Sequence, residues 1–196
     1  SNADQVMQNL RNILKRSPLG PPLLWASHKW RALSFRDSGS YWEDRYRKGG
    51  NSGAGSYGRL ALFKAEVING LVEEFDIRSV IEFGCGDGNQ LLLANYRDYV
   101  GIDVSHTVLD QCRKRFSDRP SFRFVHTEDY AGQKADLSMS LDVIYHLVED
   151  DVFHNYMSRL FDAASGYVLV YSSNFEDPAA DAAHVRNRVF ADWIAK

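Results

Sequence analysis

The segment Val80-Ile81-Glu82-Phe83-Gly84-Cys85-Gly86-Asp87-Gly88-Asn89 places an acid and then three glycines, at i, i+2 and i+4, directly after an apolar run. Glycine permits positive φ and lets a ligand approach the backbone closely. Open α/β sheets bind ligands at the carboxyl ends of their strands, where such a turn sits. A dinucleotide fingerprint needs glycines at i, i+2 and i+5, and here i+5 is Asn89. The pattern therefore departs from a pyrophosphate turn, and the Glu82 carboxylate suits a cationic ammonium group. Asp103 ends the apolar run Tyr99–Asp103, 19 residues after Gly84. An acid at about that distance accepts hydrogen bonds from ribose hydroxyls. It supports an adenosine ligand without choosing among nucleoside cofactors. A purely structural tight turn is the plain alternative, and Asp103 in register weighs against it.

Groups that could react lie further on. His146 follows Asp142 by four residues, so a helical turn would put both on one face. Asp142 could then orient the imidazole, and His146 would serve as a general base; the alternative is a loop histidine that merely packs. His184 and Arg188 are also four apart, on a helix read from Asp181 to Ala195, with Arg186 pointing roughly the opposite way. Together with Tyr145 they are substrate candidates, His184 and Arg188 for an anionic group, against the alternative of a solvated helix face. Tyr41, Trp42 and Tyr46 could wall a cation or equally form a core for the N-terminal segment. Lys64 or Arg59 could meet a carboxylate, with ordinary surface charge the simpler reading. Cys85 lies in the glycine loop, where its backbone matters more than its thiol, and Cys112 reads as a small packing residue. These two cysteines lack ligand-like spacing, which argues against a metal site and a disulfide framework.

The elements that must position these groups follow from periodicity. Gln5–Lys15 carries Val6, Leu10, Ile13 and Leu14 at helical spacing, before Pro18, Gly20, Pro21 and Pro22 break the chain. Trp25–Arg47 is aromatic and basic, and 49–58 holds five glycines within its first ten residues, so it reads as a lid loop that is mobile in isolation. Leu60–Phe75 reads as an amphipathic helix with Leu60, Phe63, Val67, Leu71 and Phe75 on its buried stripe. Strands are expected at 79–83, 99–103, 122–125, 135–140 and 167–171. Helices are expected at 90–96, 108–116 and 151–164, the last with Val152, Phe153, Tyr156, Met157, Leu160 and Phe161 inward. Ser105 is positioned to cap the helix after Asp103. Strands alternating with helices imply a doubly wound, mostly parallel α/β sheet with helices on both faces.

On these motifs the chain resembles the class I S-adenosylmethionine-dependent methyltransferases over about residues 41 to 175, and a bacterial subgroup of unnamed substrates through Tyr41–Tyr46 and the glycine loop. Glu82 to Gly88 match the first motif and Asp103 the acid after strand two. His126-Thr127-Glu128-Asp129 match the adenine-facing segment, and Ser140 to Leu147 the segment beside the transferred methyl. The resemblance implies a Rossmann-like seven-stranded sheet, with S-adenosyl-L-methionine as cofactor and S-adenosyl-L-homocysteine as product. It implies cofactor contacts from Glu82, Gly84, Cys85, Gly86, Gly88, Asn89, Asp103, Val104, Glu128, Asp129, Leu141, Tyr46 and Trp42. The chain ends at Lys196, still within its last helix, so the closing strand hairpin of the family is expected to be missing. That would leave Val185, Val189 and Trp193 without their usual cover. The family's Asn/Asp-Pro-Pro-Tyr/Phe signature for amide and base nitrogens is absent after strand four.

The expected function is methyl transfer to a small-molecule or glycan acceptor, on oxygen or else nitrogen. The alternative from another class is a non-catalytic, cofactor-binding module that serves a neighbouring domain or partner protein. An NAD-dependent oxidoreductase is disfavoured by Asn89. A net charge of −3 argues against nucleic acid, although the aromatics between His28 and Arg47 could stack on bases. No apolar run approaches the roughly 20 residues of a membrane span and no signal peptide is visible, so a cytoplasmic location is expected. Residues 1–3 read as an expression scar, 4–58 as an N-terminal segment with the lid loop, and 59–196 as the core.

Overall fold

The computed structural model describes residues 35–177 and 182–196. The helix expected at 5–15, the scar, and the aromatic residues before Phe35 lie outside them. Five strands form one parallel sheet: β1 (Ser79–Phe83), β2 (Asp98–Asp103), β3 (Phe122–His126), β4 (Ala135–Leu141) and β5 (Ala164–Tyr171). Their order is β3-β2-β1-β4-β5, with all four pairings parallel. The helices are α1 (Ser38–Arg47), α2 (Gly58–Glu74), α3 (His106–Arg115), α4 (Asp150–Asp162) and the short α5 (Ala191–Ile194). This is the expected doubly wound α/β architecture. Where the resemblance implies seven strands, five are present among the described residues, and no strand there pairs with the outer side of β5.

Alternation along the strands divides the interior into two cores. Val80, Tyr99, Leu137 and Met139 pack on one face with Ile68 and Val72 of α2 and Val108, Leu109 and Cys112 of α3. Ile81, Phe83, Val100 and Ile102 pack on the other with Phe153, Met157 and Leu160 of α4. Ser105 caps α3 as expected, its hydroxyl accepting from the Val108 N–H.

Four expectations need correction. The buried face of α2 is Ala61, Lys64, Ala65, Ile68 and Val72. The expected stripe is largely outside, with Leu60, Phe63, Val67 and Phe75 between 45% and 52% exposed. Small side chains let the helix sit close to the sheet, while Phe75, at the end of the bulkier stripe, meets Tyr167 of β5 at 4.9 Å. On α4, Val152 is 39% exposed because it sits beside the cleft, where no sheet residue covers it. The last helix covers only Ala191–Ile194. The chain before it is pinned in irregular form, with the Arg186 N–H donating to the Tyr145 carbonyl. Trp193 rests on Phe161 of α4 and donates to His154, so Val185, Val189 and Trp193 are half-buried. The helix expected at 90–96 is a 3-10 turn over Gln90–Leu93. No helix among the described residues is long and apolar enough to cross a membrane.

Candidate active site

The strand order reverses between β1 and β4, and a crevice at such a reversal is where open α/β sheets hold ligands. Here the carboxyl ends of β1 and β4 open into a cavity of about 480 Å³, within the usual range for small-molecule sites of roughly 300–1,000 Å³. Its floor is the glycine loop. Gly84, Gly86 and Gly88 all have positive φ. At Gly86 a Cβ would stand 2.2 Å from Ser52 Oγ, and at Gly88 one would stand 2.7 Å from Phe116 Cε2. The first glycine thus makes room for Ser52 of the glycine segment and the second for the end of α3.

Of the expected cofactor residues, Trp42, Tyr46, Glu82, Gly84, Cys85, Gly86, Asp103, Val104, Glu128 and Leu141 line this cavity. Gly88 faces the α3 core instead. Asn89 turns its amide away to donate to the Ser56 carbonyl at 2.7 Å. Asp129 is exposed in the turn after β3, its N–H bonded to the His126 carbonyl. Glu82 is buried, and burial pushes its carboxyl up to about 7, against the opposing pull of the Tyr99 hydroxyl hydrogen bond and the Lys64 charge. Tyr99 donates to Glu82 Oε2 at 2.5 Å. Burial raises Asp103 to about 6, opposed by backbone N–H donors. Asp103 accepts from Gly86 at Oδ2 and from Ser105 at Oδ1, each at 3.0 Å, and so ties the glycine loop to the end of β2.

The expected Asp142–His146 arrangement is different. Asp142 lies beyond β4 at φ 60°, a left-handed conformation uncommon outside glycine and found at functional sites. A 3-10 turn, Ile144–His146, follows, so no α-helical turn aligns the two side chains. The Asp142 carboxylate accepts from Lys64 Nζ at 2.6 Å and from the Tyr145 hydroxyl at 3.3 Å. His146 places Nδ1 3.0 Å from the His184 carbonyl. A carbonyl can only accept, so Nδ1 carries the proton and Nε2 holds a free lone pair. Burial lowers the imidazole to about 4, leaving it neutral at physiological pH. Both Asp142 and His146 line the cavity.

Two of the substrate candidates stay together and the third leaves: Tyr145 and His184 both pack on the His146 ring, with centroids 4.5 and 5.6 Å from it. Tyr145 sits against Asp142, and His184 stacks on Tyr41 with ring centroids 4.2 Å apart. Arg188 is committed elsewhere: it donates to the Val148 carbonyl at 2.9 Å and pairs with Asp150 at 2.5 Å. Arg186 also reaches Asp150, at 3.1 Å, so the two arginines converge where opposite faces were expected. With the intervening chain irregular, His184 and Arg188 share no helix face.

Lys64, read with Arg59 as a partner for a carboxylate or more simply as surface charge, is 2% exposed and lines the cavity beside Gln90. Several other site residues escaped the sequence reading. Gln90 donates its Nε2 to the Ala61 carbonyl at 3.0 Å, and its Oε1 is buried without a partner. Helix α1 and the glycine segment after it are held by carboxylates. Glu149 accepts from the N–H and hydroxyl of Ser38, and Glu43 accepts from Ser105 and Thr107 at the start of α3. Asp87, between two motif glycines, accepts from the Ser52 N–H at 2.9 Å and the Tyr57 hydroxyl at 2.7 Å. Asp87 was visible in the motif; nothing local marked the others.

Residues 80–165 match the family model described as a methyltransferase domain. No curated protein sequence matches the chain significantly. Among similar solved structures, DesVI of Streptomyces venezuelae is 21% identical over 63% of this chain and 54% of its own, with a TM-score of 0.51. The methyltransferase domain of bacterial CtHen1 is 20% identical over 67% and 80%, at 0.54. An O-methyltransferase family protein of Burkholderia thailandensis is 19% identical over 70% and 49%, at 0.56. The aligned part spans about half the length of the first and third of these. These likenesses carry the fold, and the family match carries the domain. The match over residues 80–165 is to a methyltransferase domain, a kind of domain whose methyl donor is S-adenosyl-L-methionine.

Proposed function

We propose that this domain transfers a methyl group from S-adenosylmethionine to an oxygen of a small-molecule or glycan acceptor. The observation that carries the reading is the cavity at the β1/β4 reversal. It brings the glycine loop, Asp103, Lys64, Gln90 and the unprotonated Nε2 of His146 to one space. The residues present fit the donor along its length. Asp103 and Glu128 line the cavity as acceptors, the first suited to ribose hydroxyls and the second to an adenine amino group. The orphaned Gln90 Oε1 suits an ammonium group, and Lys64 suits a carboxylate. Trp42 and Tyr46 supply aromatic faces for a cation.

The bound donor supplies an activated methyl on a sulfonium. The chain's own residues hold donor and acceptor in line at near-attack distance and manage one proton. His146 accepts a hydrogen bond from the acceptor hydroxyl at Nε2 and takes its proton as the new bond forms. The His184 carbonyl fixes the tautomer that makes this possible. The lid helix α1 and the glycine segment, fastened over the cleft by Glu43, Glu149 and Asp87, keep water from the reacting groups.

The test is radiolabelled methyl transfer into pools of sugars and small hydroxyl compounds, with calorimetry for S-adenosylhomocysteine. His146→Ala should lower turnover about 10²- to 10³-fold while the product's Kd changes less than about threefold. No binding of donor or product at millimolar ligand would refute the cofactor assignment. Tight binding with no labelled product in any pool would favour the non-catalytic module.

A further inference from the structure

The pairing of Lys64 with Asp142 is the feature that the fold and the proposed chemistry leave unexplained. An ammonium group 2% exposed is costly unless a counter-charge and hydrogen bonds compensate it. Its carboxylate contact is Asp142, at 2.6 Å; its charge also acts on the buried Glu82 carboxyl, and the Tyr171 ring stands 5.3 Å away. Among the described residues lining the cavity, the other permanent cation is Arg159, and it is bound to the Thr127 carbonyl on the β3 side. Lys64 is therefore the cation available at the glycine-loop end. One turn back on α2, the Ala61 carbonyl fixes the Gln90 amide so that its Oε1 is left unpartnered. A buried donor and a buried orphan acceptor thus stand together, the complement of a zwitterionic amino-acid group.

Asp142 is held in a similarly provisional way. Its backbone is left-handed, its carboxylate is fastened by Lys64 and Tyr145, and the lid passes so close that a Cβ on Gly55 would stand 2.4 Å from Oδ2. It lies at the end of β4, where an acceptor must approach His146.

We infer that Lys64 is a carboxylate anchor and Asp142 its place-holder: the donor's amino-acid carboxylate takes the Lys64 ammonium from Asp142, which is released toward the acceptor. The inference rests on the S-adenosylmethionine reading and extends it to an order of events. The donor seats first, and only then is the Asp142 carboxylate free to orient an acceptor hydroxyl. Two carboxylates competing for one buried ammonium make the exchange a measurable antagonism.

The experiment is calorimetry with S-adenosylmethionine and with decarboxylated S-adenosylmethionine, which keeps the sulfonium and the ammonium. The wild type should prefer the carboxylate-bearing ligand by about 10- to 100-fold, the range for a charge-assisted hydrogen bond. Lys64→Met should bring that preference within threefold. Asp142→Asn should tighten S-adenosylmethionine several-fold and leave the decarboxylated ligand unchanged, because the place-holder is gone. The double variant Lys64→Met/Asp142→Asn, neutral at both positions, checks folding by circular dichroism and should bind both ligands alike. Equal wild-type affinity for the two ligands would overturn the anchor while sparing the cofactor reading. Weakened binding of both ligands to Asp142→Asn would overturn the exchange and place Asp142 on the ammonium group. Failure of both ligands to bind the wild type would overturn the cofactor reading and the anchor together.

Discussion

Glu82→Gln is the substitution for which the structure gives a magnitude. The Glu82 carboxyl is buried and raised from 4.5 to about 7. A carboxyl whose folded value lies above its unfolded one binds more protons in the native state, so it subtracts stability as pH rises. The penalty is absent below about 4.5, grows between 4.5 and about 7, and is complete above that. Its full size is about 3 kcal/mol, from 1.36 kcal/mol for each factor of ten. Glutamine keeps an oxygen for the Tyr99 hydroxyl and removes the buried charge. Glu82→Gln should therefore melt higher than the wild type at pH 8, by up to about 6–12 °C for a chain of this size, and the two should converge near pH 5. The part of that gain that the new amide N–H groups consume by lacking partners is independent of pH, so the slope with pH carries the test. The same ionisation should be visible on ligand binding. A cationic donor drives Glu82 to its charged form, and at pH 7 the wild type should release about half a proton. The calorimetric enthalpy would then vary with buffer ionisation, and in Glu82→Gln this variation should shrink. A melting difference that is the same at pH 5 and pH 8, with no buffer dependence in either protein, would refute the view of Glu82 as a strained, half-ionised group.

Gly88→Ala should cost about 1–3 kcal/mol in urea denaturation, because φ is 71° and the added carbon would stand 2.7 Å from Phe116 and 3.1 Å from Cys112; an unchanged midpoint would show that α3 yields freely. Arg188→Ala should lose about 1–2 kcal/mol through its bonds to the Leu147 and Val148 carbonyls and its pairing with Asp150, with the acceptor KM within twofold. A tenfold rise in KM at unchanged melting temperature would return the arginine to a substrate role.

What could be read in the sequence was what is local. The glycine spacing, Asp103 and the Ser105 cap each sit within one strand–turn–helix unit, so residue types a few positions apart specify them. The strands were legible as apolar runs because both faces of a parallel sheet are covered. On α2, periodicity found an apolar stripe but not the one that faces the sheet, since Ala61 and Ala65 carry little hydrophobic signal and decide the packing by being small. Lys64 looked like surface charge because its counter-charge is 78 residues away. The Asp142–His146 pair had helical spacing, and the left-handed backbone at Asp142 removed the helix on which that spacing depended. The helical spacing of His184 and Arg188 was lost in the same way, through chain held by contacts to Tyr145 and Val148.

The carboxylate fastenings of α1 also bear on when that helix forms. Its ties reach Ser105 and Thr107, 62 and 64 residues on, and Glu149, 111 residues on. Ten residues are too few for a helix to persist alone in water. Contacts so distant in sequence become available only after β2, α3 and α4 are in place. The lid is thus a late and shallow addition to the folding landscape. Its amide protons should exchange through an opening of lower free energy than global unfolding, so the cleft can be uncovered while the sheet beneath stays intact.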